Sequence, residues 1–271
     1  MIPEETYQHL LSKYPDRLDG LIITDIVVGL HLTAVKLSDA SYGIASTVHD
    51  NPATCRKEDR DYEAFSPGRI RGSEVRELFE TGKRAGILNT LRIAVLNAVS
   101  SSILPESPWR VADNVDPIDL IDLSEHKTVV LVGAFQSYIR RLAGTGNRLC
   151  VLEMSESALP VEHRRFYVPA GDYAKVIPAA DLVVISGMTL VNGTIEGLLS
   201  AVPSHATVVV TGPSGSMIPD ILFSRGVYMI GATRITDGPA AFTIAGEGGA
   251  GYHLFHAKCA KKICILREAP E

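Results

Sequence analysis

Apolar and polar positions change their rhythm twice along this chain. Residues 4–14 carry a short amphipathic helical pattern that stops before Pro15. Residues 21–48 are rich in β-branched side chains. The run from Asp25 to Leu37 alternates toward its end, Asp39-Ala40-Ser41 reads as a turn, and Tyr42 to Val48 reads as another strand, so an antiparallel meander is expected. A polar, charged stretch over 49–72 reads as a long loop, a kind of segment that is often functional. Ser73 is the expected N-cap of a helix over 74–81 that stops at Gly82, and Ile87, Leu88, Leu91, Val95, Leu96 and Val99 predict a second helix over 84–102. Strands followed by helices make residues 1–104 an α+β unit.

Residues 105–125, with Pro105, Pro108 and Pro117, many acids and the sole tryptophan, Trp109, read as a connector. From 126 to 271 apolar strands alternate with helical segments. The expected strands are Thr128–Val132, Arg148–Glu153, Asp181–Ser186, Thr207–Thr211 and Val227–Ile230. Continuous Val/Ile/Leu strands alternating with helices predict βαβ units around a mainly parallel, Rossmann-like sheet. The fold class is therefore α/β, with a small α+β unit in front.

Bulk properties narrow the function. Of 271 residues, 46% are hydrophobic and 21% charged, which suits a chain with a real core. The net charge of -5 argues against a nucleic-acid partner, since phosphate binding needs a surplus of Lys and Arg. No signal-peptide pattern opens the sequence, and no stretch approaches the ~18 apolar residues of a membrane span. Cys55, Cys150, Cys259 and Cys264 form no CxxC and no regular framework. A reduced, cytoplasmic protein with a small-molecule ligand and no membrane insertion is the expectation, with a homo-oligomer left open.

In open parallel sheets ligands bind outside the carboxyl ends of the strands, where strand order reverses. Four strand exits are thus informative. The first, Gly133-Ala134-Phe135, has the leading glycine of a dinucleotide turn but not the next two, which disfavours an ordinary NAD site. Glu153, at the second exit, is placed for ribose hydroxyls or is simply an exposed acid. Thr189, Asn192 and Thr194 at the third either cradle an anion at a helix N-terminus or cap that helix. Gly212 and Ser214 belong to a second hydroxyl-rich loop at the fourth. A formal GxGxxG over 246–251 lacks the strand–turn–helix context and reads as a mobile glycine loop over a site.

His253, His256 and Cys259 would share one broad face of a helix, with donors that suit transition metals, although the spacing matches no strong zinc signature. His49, Asp50 and Cys55 lie in or beside the long loop and His31 on a strand; all could join a site at the domain interface. No GxSxG or HExxH identifies a catalytic mechanism, so enzymatic activity is left undecided.

The sequences Val132–Phe135, Ile185–Thr194, Thr211–Ser214, Pro219-Asp220 after Met217, and Gly231–Asp237 together resemble the heavy-metal-chelation family of bacteria and archaea. The resemblance covers nearly the whole chain. It implies a domain like the capping domain of enolase followed by a Rossmann-like domain, without enolase chemistry, whose barrel is missing. It also implies a role in metal homeostasis, binding or processing a heavy metal or metal chelate. The alternative reading is an enzyme with a nucleotide-like cofactor, S-adenosylmethionine or a nucleotide, at the strand ends.

Overall fold

The computed structural model describes residues 1–48, 62–83, 85–123 and 126–267; His49, Asp50 and Cys55 therefore lie outside the described residues. Helix α1 (Ile2–Lys13) buries Ile2, Thr6, Tyr7 and Leu10. Glu4 and Glu5 in its first turn and Lys13 in its last match the sign of the helix dipole. The meander is present as β1 (Ile23–Val28), β2 (Leu32–Leu37) and β3 (Tyr42–Ser46), antiparallel in the order β1-β2-β3. The β-branched run from Asp25 folds back on itself at Gly29, whose N–H donates to the Leu32 carbonyl at 2.9 Å.

Two helices follow, α2 (Val75–Glu80) and α3 (Gly86–Ile103). Ser73 is not the cap of α2. Glu74 holds that position without a side-chain cap bond, and the buried Ser73 hydroxyl donates to the Arg69 carbonyl at 3.2 Å. Helix α3 is apolar almost all round because it is the central helix of the molecule. Contrary to expectation, residues 86–106 are long and apolar enough to cross a membrane, but 78% of that window is buried inside the protein.

The small sheet is covered on both faces. Val35, Leu37 and Ala45 join the core around α3, while Leu32, Ala34 and Ile44 pack on Ala241 and Ala245 of α9 (Gly238–Gly246). Glycines let these layers touch. A Cβ on Gly43 would stand 2.0 Å from the Ala94 carbonyl oxygen of α3, and one on Gly29 would stand 1.9 Å from the Ala245 carbonyl oxygen of α9.

The second half is built on an eight-stranded sheet. Its strands are β4 (Arg110–Asp113), β5 (Thr128–Val132), β6 (Arg148–Glu153), β7 (Tyr167–Pro169), β8 (Leu182–Ser186), β9 (Thr207–Thr211), β10 (Met229–Ile235) and β11 (Ala260–Leu266). Their spatial order is β4-β11-β10-β9-β8-β5-β6-β7. From β10 to β7 all pairings are parallel, whereas β11 pairs antiparallel with both β10 and β4. Numbered in chain order, the six parallel strands lie 3-2-1-4-5-6, so the order reverses between β5 and β8. Strand β4 comes from the stretch read as connector, so that stretch is part of the sheet. One buried cluster runs through both halves, from Ile2, Ile23, Leu91 and Val95 to Val130, Ile185, Val210 and Ile263. A second, with Val129, Leu131, Tyr138 and Val209, covers the other face of the large sheet.

Candidate functional site

At the first strand exit Gly133 has φ +111°, a region that favours glycine, and a Cβ there would sit 3.3 Å from the Ser186 Cβ. The chain then enters α4 (Gln136–Ala143). Phe135 packs beside Tyr138, ring centroids 5.5 Å apart, in the core on that face. The buried Tyr138 hydroxyl donates to Asp116, which also accepts from Lys262 Nζ at 2.8 Å. Burial and then the Asp116 carboxylate push the phenol far above its ordinary pKa, so it stays a protonated donor. Glu153 reaches back across this exit. Its Oε2 accepts from the Ala134 N–H at 3.0 Å and its Oε1 from the Met154 N–H at 2.7 Å. A carboxylate thus occupies the backbone N–H of the turn where a dinucleotide would place its pyrophosphate.

The hydroxyl-rich loops make internal bonds. At the exit of β8, in α6 (Met188–Val191), the buried Thr189 donates to the Ser186 carbonyl at 2.7 Å. Asn192 Oδ1 accepts from the Thr194 N–H at 3.2 Å and its hydroxyl at 2.8 Å, a local turn ahead of α7 (Ile195–Ser200). At the exit of β9, Gly212 has φ +121° and Ser214 is 1% exposed, its hydroxyl accepting from the Ser46 N–H at 2.8 Å. Asn97 of α3 donates to the carbonyls of Ile44, at 2.7 Å, and Pro213, at 3.1 Å. The Ser100 hydroxyl accepts from the Ile218 N–H at 2.8 Å. This loop is the strut that holds the small sheet and α3 onto the end of the large sheet.

Beside that strut lies an open cleft of about 650 Å³. The β1–β2 turn supplies Leu30, His31 and Leu32, the end of β3 supplies Ser46, Thr47 and Val48, and the β8 and β9 exits supply Met188, Asn192 and Pro213. Ala250 and Gly251, from the glycine loop, complete it as part of the turn into α10 (Gly251–His256). A neighbouring cleft of about 500 Å³ shares Leu30, Thr47 and Val48. Of the residues singled out at the strand exits only Asn192 lines the larger cleft; Gly133, Phe135, Glu153, Thr189, Thr194, Gly212 and Ser214 do not. His31, read as a strand residue, sits on the turn and does line it. The apolar walls carried no chemical signal in the sequence.

The expected cluster of His253, His256 and Cys259 does not assemble. The two histidines are on α10, but the helix ends before Cys259, which is 1% exposed and donates its thiol to the Leu254 carbonyl at 3.3 Å. Burial raises its pKa. His253 Nδ1 accepts from the Ala250 N–H at 3.0 Å, which places the neutral ring's proton on Nε2 and leaves no lone pair for a metal. Cys264 is fully buried, and burial and then Asp116 push its thiol up to about 11. Among the described residues no group of three or more His, Cys, Asp or Glu could hold a metal ion. The described donor set therefore does not fit a resident metal centre.

Two sequence models, each described as "Putative heavy-metal chelation", match residues 11–100 and 116–265. An uncharacterized protein of Methanocaldococcus jannaschii is 27% identical over 150 residues, which span 55% of each chain, so the match covers about half of that relative. A protein of unknown function from Pyrococcus horikoshii superposes with a TM-score of 0.77 at 20% identity, covering 98% of this chain and 100% of that one. Another, from Desulfitobacterium hafniense, gives 0.69 at 19%, covering 96% and 99%. These two structures share the fold and come from one family of unknown function. With one sequence model matching more than half of its length, the chain belongs to the heavy-metal-chelation family.

Proposed function

We propose that this protein binds a small organic metal chelator, with or without its metal, in the cleft between the β1–β2 turn and the exits of β8 and β9. The observation that carries the reading is the cleft itself. Its volume of about 650 Å³ is that of a small-molecule site, commonly about 300–1,000 Å³. Leu30, Leu32, Val48 and Pro213 offer apolar walls, and His31, Thr47 and Asn192 offer a few polar groups. A bare ion would need several converging donors, and the described residues assemble no such set. A metal already wrapped by an organic ligand needs only shape and a few hydrogen bonds. The family description supports a role in metal handling.

Calorimetry tests this. Nickel(II) or copper(II) is titrated alone, then as complexes with aminocarboxylate chelators, then the chelators alone. Saturable binding only when an organic chelator is present is the expected result. Stoichiometric binding of the bare ion, unaffected by chelators, would overturn the reading.

A further inference from the structure

The β1–β2 turn carries a histidine in an unusual setting. His31 is exposed, lines the cleft, and its imidazole has no hydrogen-bond or ion-pair partner among the described residues. Its backbone is held from both sides. The Thr47 N–H donates to the His31 carbonyl at 3.0 Å, and the Gly29 N–H closes the turn on the Leu32 carbonyl at 2.9 Å. Gly29 also lies so close to α9 that a Cβ would meet the Ala245 carbonyl oxygen at 1.9 Å. A free imidazole on a tethered turn is pre-organised, so little ordering is lost when it binds. Met188, 42% exposed, lines the same cleft, and among the described residues the other polar lining groups are hydroxyls and the Asn192 amide.

We propose that His31 is the protein's own ligand to the metal of a bound chelate, selecting complexes that keep an open coordination position. This rests on the reading that the cleft takes a metal chelate. The imidazole nitrogen donates its lone pair to the metal and one bound water leaves; no electron is transferred. Among the described residues His31 is the only one of the four ligating residue types (His, Cys, Asp, Glu) lining the cleft, so these residues supply one such donor and the chelator supplies the others. A chelator that fills every position leaves His31 nothing to bind.

The test compares nickel(II) nitrilotriacetate, which leaves positions open, with nickel(II) ethylenediaminetetraacetate, which leaves none. Both are titrated into the full chain, the His31→Ala variant and a His253→Ala/His256→Ala control. The wild type and the control should prefer the open complex at least tenfold, with a shift in the nickel visible band. His31→Ala should bind both complexes alike and keep the wild-type melting temperature. A preference that survives His31→Ala, or that disappears in the control, overturns the assignment. Equal binding of both complexes by the wild type would also overturn it while leaving the cleft reading intact. Binding of neither complex would overturn both.

Discussion

Asp220 joins the start of α8 (Asp220–Ser224) to the N-terminal helix and to the only tryptophan. Its Oδ1 accepts from His9 Nε2 at 3.0 Å and Lys13 Nζ at 3.2 Å, and its Oδ2 accepts from Trp109 Nε1 at 2.9 Å. Burial works to raise the carboxyl's pKa, but the Trp109 hydrogen bond and the charges of Lys13 and His9 outweigh it and hold it below the usual range. The side chain is 15% exposed, whereas His9 and Lys13 are 30% and 42% exposed, so its contacts with them are partly screened. Each should contribute about 0.5–1 kcal/mol. Asp220→Asn keeps an acceptor for Trp109 and should cost about 1–2 kcal/mol; Asp220→Ala also strands the indole N–H and should cost about 2–4 kcal/mol.

The assay is urea unfolding followed by Trp109 fluorescence, which reports from within the cluster because its ring meets Phe223 edge-on at 5.0 Å. Because the folded pKa is depressed, the stabilisation is full above the unfolded value of about 3.9 and is lost as pH falls through the folded one. The gap between wild type and Asp220→Asn should therefore be present at pH 5 and shrink below about pH 4. Equal stability of the two at pH 7 and low salt, or a gap that stays the same down to pH 3, would refute the reasoning.

Further expectations follow from the packing. Gly43→Ala should destabilise the protein by about 2 kcal/mol or more, lowering the melting temperature by several degrees, because backbone rather than a flexible side chain lies 2.0 Å from the new Cβ. Gly29→Ala should also weaken ligand binding in the cleft, read by calorimetry, since it displaces the turn that carries His31. Asn97→Ala leaves the Ile44 and Pro213 carbonyls without their donor and should cost about 2–4 kcal/mol in denaturant unfolding. Peptide mapping after alkylation at pH 8 should find Cys150, half-buried, modified ahead of Cys259 and Cys264, both buried with raised pKa values.

The parallel strands were legible because Val129–Val132, Val183–Ile185 and Val208–Val210 are continuous apolar runs buried on both faces. Strand β11 was not, because Lys261 and Lys262 stand side by side where an amphipathic strand would alternate, and the nearby histidines suggested one long helix face instead. Strands β4 and β7 have four and three residues, too few to show a period. The loops at the strand exits were correctly placed by sequence. Their hydroxyl groups could not be assigned, because Ser214 and Ser216 are engaged by groups distant in sequence: the Ser46 N–H and the Thr233 N–H. The turn at Gly29 likewise depends on contact with α9, over two hundred residues away, and that contact brings His31 to the cleft wall.

The core that runs unbroken from Ile2 and Leu91 to Val130 and Ile263 bears on how the molecule unfolds. Sequence models match residues up to 100 and from 116, yet among the described residues the apolar side chains of the two parts share one buried cluster. Cutting there would expose the faces of α3 and of the large sheet together. The two parts should melt in one cooperative transition, and neither should be a stable fragment by itself. Hinge opening between the parts would have to tear that same core, so ligand entry is expected along the open rim of the cleft.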